Sequence, residues 1–139
     1  MMSEKMITYK EFGTEQLEIV KEIYRKEEWF AYLKDDEKLK RTYENSLYCL
    51  GAFEGEKLVG LIRCVGDGEH ILVVQDLIVD RDYQKNGIGT TLFKMVWDKY
   101  ADVRMFQVVT DLEDEVDNKF YKSFGMLPLV EGHMISYFR

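Results

Sequence analysis

The chain has 139 residues, 46% apolar and 14% aromatic, a composition that can bury about two-thirds of its unfolded surface in one core. A net charge of −7 and an isoelectric point near 4.9 exclude an extended nucleic-acid surface, which needs a basic face to displace counterions from phosphates. No apolar run approaches the roughly 20 residues a membrane helix requires, and Met1 to Lys5 lacks the apolar stretch of a secretory signal.

These bounds predict a single soluble domain over residues 1–139, cytoplasmic, with no nucleic-acid or membrane partner, as a monomer or homodimer. Cys49 and Cys64 have neither metal-site nor redox spacing and read as small buried apolar residues. No metal is expected.

In chain order, a strand is predicted at Ile7 to Phe12, then a helix capped by Thr14 with Leu17, Val20 and Tyr24 on one face. A second helix starts at Asp35 or Asp36 and carries Leu39 and Tyr43. Between them Trp29, Phe30 and Tyr32 crowd into Glu27 to Leu33, as core or as the wall of a binding site.

Strands at Leu47 to Glu54 and Lys57 to Val65 flank Glu54-Gly55-Glu56 and read as a β-hairpin. Gly66-Asp67-Gly68 turns into a third strand, Ile71 to Asp80, whose run Ile71-Leu72-Val73-Val74 predicts a central strand buried on both faces. A helix from Ile88 to Tyr100, with Leu92, Met95 and Val96 inward, leads to a buried strand at Val103 to Val109. Strand, helix and strand in that order make a parallel βαβ unit.

After the acidic loop Asp111 to Asp117, a short helix presents Val116, Phe120 and Phe124 and stops at Gly125. Met126 to Val130 and His133 to Phe138, joined at Glu131-Gly132, are expected to form a closing antiparallel hairpin. The class is α+β: a mixed sheet, antiparallel except for one parallel crossover, flanked by about four helices.

The segment Gln84-Lys85-Asn86-Gly87-Ile88-Gly89-Thr90 lies between a strand and its helix. Glycines there let backbone amides approach an anion, and the helix N-terminus adds about half a positive charge. A P-loop is excluded because no Gly-Lys-Ser/Thr follows Gly89, and a dinucleotide fingerprint because Leu92 stands where its third glycine would be.

Gln84 to Gly89 resembles the QxxGxG signature of the GNAT superfamily of acetyl-CoA-dependent N-acetyltransferases. The likeness extends through Asp76-Leu77-Ile78-Val79-Asp80 upstream and Phe120-Tyr121-Lys122-Ser123-Phe124-Gly125-Met126 downstream. It implies a sheet splayed at the crossover to admit CoA, with amides of Leu77, Ile78 and Val79 pairing with the pantetheine arm by strand addition. Gln84, Lys85, Asn86, Gly87, Ile88, Gly89 and Thr90 would hold the pyrophosphate, and the resemblance adds Asn118 to the cofactor-binding residues.

Acetyl-CoA is the implied cosubstrate and a primary amine of a small molecule or peptide the acceptor, attacked directly in a ternary complex. Tyr121 matches the family's tyrosine that supports the thiolate leaving group. Glu28, Trp29 and Tyr32 are the candidate acceptor residues. An amine of pKa about 10.4 is neutral only about one time in a thousand near pH 7.4, so its proton needs an outlet.

Strand-borne bases of the family match Val73 or Gln75, neither of which takes a proton; Asp76, Glu28, Asp111, His70 or a water chain remain. That gap leaves a non-catalytic acyl-CoA sensor as the alternative.

Overall fold

The computed structural model describes residues 6–139, so Met1 to Lys5, which carried the leader reading, lie outside it. The chain forms two compact units, one ending at Val108 and the other spanning Val109–Arg139.

The first unit is a five-stranded sheet ordered β1-β2-β3-β4-β5: β1 Ile7–Glu11, β2 Tyr48–Glu54, β3 Lys57–Gly66, β4 Ile71–Val79 and β5 Met105–Val108. The first three pairings are antiparallel, and β4 with β5 is parallel. The crossover helix between them is α3, Ile88–Lys99. The expected mixed sheet with one parallel crossover is therefore present.

Helix α1, Leu17–Lys26, does not start on a Thr14 cap; a 3-10 turn, Thr14–Gln16, precedes it, and the Gly13 N–H bonds to the Glu15 carboxylate at 2.9 Å instead. Helix α2, Asp36–Glu44, opens as its sequence predicts, the Asp35 carboxylate accepting from the Lys38 N–H at 3.1 Å. The turn into β4 closes on Asp67, whose Oδ1 accepts the N–H groups of Glu69, His70 and Ile71.

The strand buried on both faces is β3 rather than β4: Leu58 through Cys64 are all buried, whereas Ile71 is exposed and β4 alternates. The apolar run of β4 misled because β4 has only β5, four residues long, beyond it, while β3 has a full strand on each side.

One face of the sheet packs Val20, Ile23, Tyr24, Leu39 and Tyr43 of α1 and α2 against Cys49, Phe53, Leu61 and Ile78. α3 lies on the other face, where a Cβ built on Gly60 would meet Ile88 at 3.3 Å. Met95 is exposed; Ile88, Leu92, Phe93 and Val96 form the inward stripe, and Phe106 of β5 meets the Phe93 and Trp97 rings edge-on. β5 is half-buried and shorter than predicted.

In the second unit, α4 spans Glu115–Ser123, with the Asp114 carboxylate capping the Asp117 N–H at 2.9 Å. Gly125 follows at φ 83°, the left-handed stop its sequence predicts. Phe120 and Phe124 pack with ring centroids 5.3 Å apart, but Val116 is exposed.

The closing hairpin is absent among the described residues. After Pro128 a 3-10 turn, Leu129–Gly132, is closed by the Met134 N–H on the Leu129 carbonyl, and His133 sits at φ 60°, so the chain does not run extended into a strand there.

Candidate functional site

Pairing between β4 and β5 ends at Val74↔Val108. From Gln75 to Val79 the outer edge of β4 has no sheet partner among the described residues. Which groups point outward follows from the inner edge. The Asp80 N–H bonds to the Val59 carbonyl at 2.8 Å, so strand alternation turns Ile78 toward β3 and Leu77 and Val79 outward. The Val79 carbonyl is met there by the Gln84 side-chain amide at 2.9 Å.

This edge runs into the glycine loop. Asp80 is buried and caps a 3-10 turn, Arg81–Tyr83, through the Asp82 N–H, with Lys26 3.0 Å away. Burial opposes its charge, but those two partners outweigh burial and hold the carboxyl below the usual range. Lys85 and Gly87 both have positive φ, 67° and 78°, and Gly87 is the N-cap of α3.

No side chain among the described residues caps α3, and the N–H groups of its first turn, Ile88 to Thr90, lack an intrahelical partner. A Cβ on Gly89 would meet only the Val79 methyl at 3.7 Å, so nothing among the described residues requires glycine there. Asn86 is spent locally on the Tyr83 carbonyl at 3.1 Å.

The aromatic segment caps the end of α1. Glu28 adopts φ 61°; the Glu28 N–H bonds to Arg25 and the Trp29 N–H to Tyr24, a Schellman motif with Glu where glycine is usual. Its apolar contact is the Trp29 ring on Tyr24, centroids 5.7 Å apart. Glu28 and Phe30 are exposed, Trp29 and Tyr32 half-buried. The neighbouring Glu27 carboxylate bonds to Arg81 and Gln84, both at 3.2 Å, tying this segment to the loop after β4.

The Tyr32 hydroxyl turns inward. It donates to Asp76 Oδ1 at 2.7 Å and accepts from Arg63 at 3.1 Å, while its ring stacks on Tyr24 at 4.6 Å. Asp76 and Arg63, 3% and 4% exposed, form a 2.6 Å ion pair. Tyr24 donates to Asp76 Oδ2 at 2.9 Å and therefore receives its 2.5 Å bond from the Tyr43 hydroxyl.

Burial first, and the neighbouring Tyr43 and Asp76 next, push the Tyr24 hydroxyl far above its ordinary value. Asp76 thus meets three donors, Tyr24, Tyr32 and Arg63, inside a buried network. Sequence reasoning missed this network. Its one signal was an arginine and an aspartate, each alone in an apolar strand.

A model of the acetyltransferase (GNAT) family matches residues 14–126. The chain belongs to that family. A GNAT-family protein from Streptococcus pneumoniae is 33% identical over 96% of this chain and 97% of its own, with a TM-score of 0.81. The PaiA N-acetyltransferase of Thermoplasma acidophilum, solved with coenzyme A, is 20% identical over 86% and 88%, TM-score 0.69. The aminoglycoside N-acetyltransferase AAC(6')-Iy, also solved with CoA, is 14% identical over 99% and 96%, TM-score 0.73. No curated protein sequence matches this one.

The remaining candidates of this GNAT chain stand as follows. Burial raises the thiols of Cys49 to about 11 and Cys64 to about 12, so neither forms a thiolate near neutrality. On α4, Tyr121 is half-buried beside Phe120, ring centroids 5.2 Å apart; burial first, then Asp117 and Asp114, raise its hydroxyl to about 12. The Asn118 side-chain amide bonds to the carbonyls of Asp114 at 2.7 Å and Asp111 at 3.0 Å, bracing the acidic loop. Among the described residues no helix is long and apolar enough to cross a membrane, and no His/Cys/Asp/Glu cluster could hold a metal ion.

Proposed function

We propose that residues 1–139 act as one cytoplasmic N-acetyltransferase domain, moving an acetyl group from acetyl-CoA to a primary amine of a small molecule or peptide. The observation that carries this reading is the set of main-chain groups without a sheet or helix partner, from the outward edge at Leu77 and the Val79 N–H to the uncapped first turn of α3. Outward groups of Leu77 and Val79 match the alternating amides of a pantetheine arm, and Ile78 between them holds the strand against β3.

Ile88, Gly89 and Thr90 then offer N–H groups to a pyrophosphate, with Gly87 setting the turn and the open space at Gly89 admitting the ligand. Gln84 and Asn86 hold the loop that aims them. Relatives of the same fold solved with CoA support the assignment.

The amine nitrogen attacks the acetyl carbonyl directly, and the CoA thiolate leaves. A covalent acyl-cysteine is disfavoured because both thiols are buried and held protonated. Tyr121 stabilises the thiolate by hydrogen bonding. Glu28 and the Trp29 and Tyr32 rings receive the acceptor, Glu28 through its exposed carboxylate and Tyr32 through its ring, its hydroxyl being committed to Asp76. The amine proton leaves by water, since the one carboxylate of β4 is buried and engaged by Tyr24, Tyr32 and Arg63.

Calorimetry with CoA and thiol release from acetyl-CoA across an amine panel test this reading. Binding with release supports it, and binding without release from any amine replaces the enzyme by an acyl-CoA sensor. No binding at millimolar CoA removes both.

A further inference from the structure

The apolar pattern of β4 does not by itself say which face is which. Leu77, Ile78 and Val79 are all apolar, and so are their partners Ile62 and Leu61 beside Gly60. Sliding this half of the strand by one residue would exchange one apolar side chain for another on each face, and strands of that kind specify their register weakly.

The register nevertheless steps at one place. Cys64 pairs with Val74 and Arg63 with Asp76, which leaves Gln75 as the extra residue of a β-bulge. Adjacent residues of β3 face opposite ways, and directly opposed residues share a face. Val74 therefore lies with Cys64 on the α3 side, while Asp76 lies with Arg63 on the side of α1 and α2. There Tyr24, Tyr32 and Ser46 complete the hydrogen bonds of the pair. No buried side-chain nitrogen or oxygen among the described residues lacks a partner.

We infer that the buried Arg63–Asp76 pair is the register lock of β4: it selects the bulged pairing and thereby decides which main-chain groups from Gln75 to Val79 face outward. Without the bulge Arg63 would oppose Gln75, and Asp76 would oppose Ile62 on the α3 face, an unpaired carboxylate among buried apolar side chains. Since inward and outward groups alternate along a strand, that slip would turn Ile78 outward and Leu77 and Val79 toward β3. Arg63 and Asp76 are thus positioning residues for the groove edge. Their effect on CoA rests on the proposed function; their effect on register does not.

The test moves the carboxylate by one residue. In Gln75→Asp/Asp76→Leu the ion pair can form only in the unbulged register, and Leu replaces Asp opposite Ile62. Amide hydrogen exchange on the ligand-free protein reads the result. In the wild type Ile78 is protected while Leu77 and Val79 exchange fast; in the variant the three reverse, and CoA affinity falls at least about fivefold.

Arg63→Met/Asp76→Leu, which removes both charges without leaving either unpaired, should equalise protection at the three amides, and it decides the question should the first variant not fold. Wild-type alternation retained in either variant overturns the lock. If the wild type takes up no CoA, the acetyltransferase reading fails, while the exchange pattern still decides the register.

Discussion

Replacing Tyr121 by Phe tests the chemistry most directly, because the structure limits what that hydroxyl can do. Its pKa is raised to about 12, first by burial and then by Asp117 and Asp114. Full proton transfer to a thiolate of pKa about 8.5 would run uphill by about 3.5 units, or about 5 kcal/mol. In the proposed reaction Tyr121 would therefore act as a hydrogen-bond donor that keeps its proton. Loss of one preorganised donor to developing charge costs roughly 10² to 10³ in turnover.

Tyr121→Phe is accordingly expected to lower kcat by about 10² with the KM values for amine and acetyl-CoA little changed, read as thiol release under saturating substrates. A pH series separates donor from acid. Between pH 7 and 10 the wild-type rate should climb as the amine deprotonates, with no falling limb, since a phenol of pKa about 12 is still about 99% protonated at pH 10 where an ordinary tyrosine is half ionised. Unchanged turnover in Tyr121→Phe with every amine that the wild type accepts, or a falling limb near pH 10 that the variant lacks, would refute the reasoning.

Gly89→Ala should leave thermal stability unchanged or slightly raised, because its Cβ meets nothing closer than 3.7 Å and Ala favours a helix by about 1 kcal/mol, yet calorimetry should show weakened CoA binding. Gly87→Ala should lose about 1 kcal/mol in denaturant unfolding, because its φ of 78° is left-handed. Glu28→Gly, at the Schellman position with φ 61°, should gain about 0.5–1 kcal/mol of stability, and should raise the amine KM while leaving CoA affinity alone.

Alkali should unfold the protein: burial makes Cys49 and Cys64 bind their protons more tightly in the fold, up to about 11 and about 12 from an ordinary 9.0. That stability is fully present below pH 9 and is lost as pH rises toward those values, together about 7 kcal/mol by pH 12, comparable with the whole stability of a small domain. Loss of ellipticity should set in between pH 10 and 12.

Much of this was legible in the sequence because local chemistry and tertiary need agreed. Asp35 caps α2, Gly125 stops α4, and Gly87 starts α3, each a residue type with a backbone reason at its own position. Where the structure departs, the deciding fact is nonlocal. Ile71 to Val74 are as apolar as a central strand, but strand order gives that place to β3, and order cannot be read from one strand's composition.

Thr14 is a fair cap residue, but the chain makes a 3-10 turn first and a glutamate serves the Gly13 N–H. Ile135 and Tyr137 alternate like a strand and remain exposed in a segment whose neighbour His133 is left-handed. The Glu28 conformation was invisible, since a glutamate at a left-handed helix stop is the exception rather than the signal.

The two glycines of the loop look alike in the sequence and differ in the fold. Gly87 is explained by the chain itself, whose backbone at φ 78° would strain any L side chain. Gly89 is helical, with room for a methyl group and a propensity cost for lacking one. A residue that the folded chain does not need, placed where N–H groups stand uncapped, marks space kept for something outside the chain. For that reason the Gly89→Ala experiment bears on the ligand and the Gly87→Ala experiment on the fold.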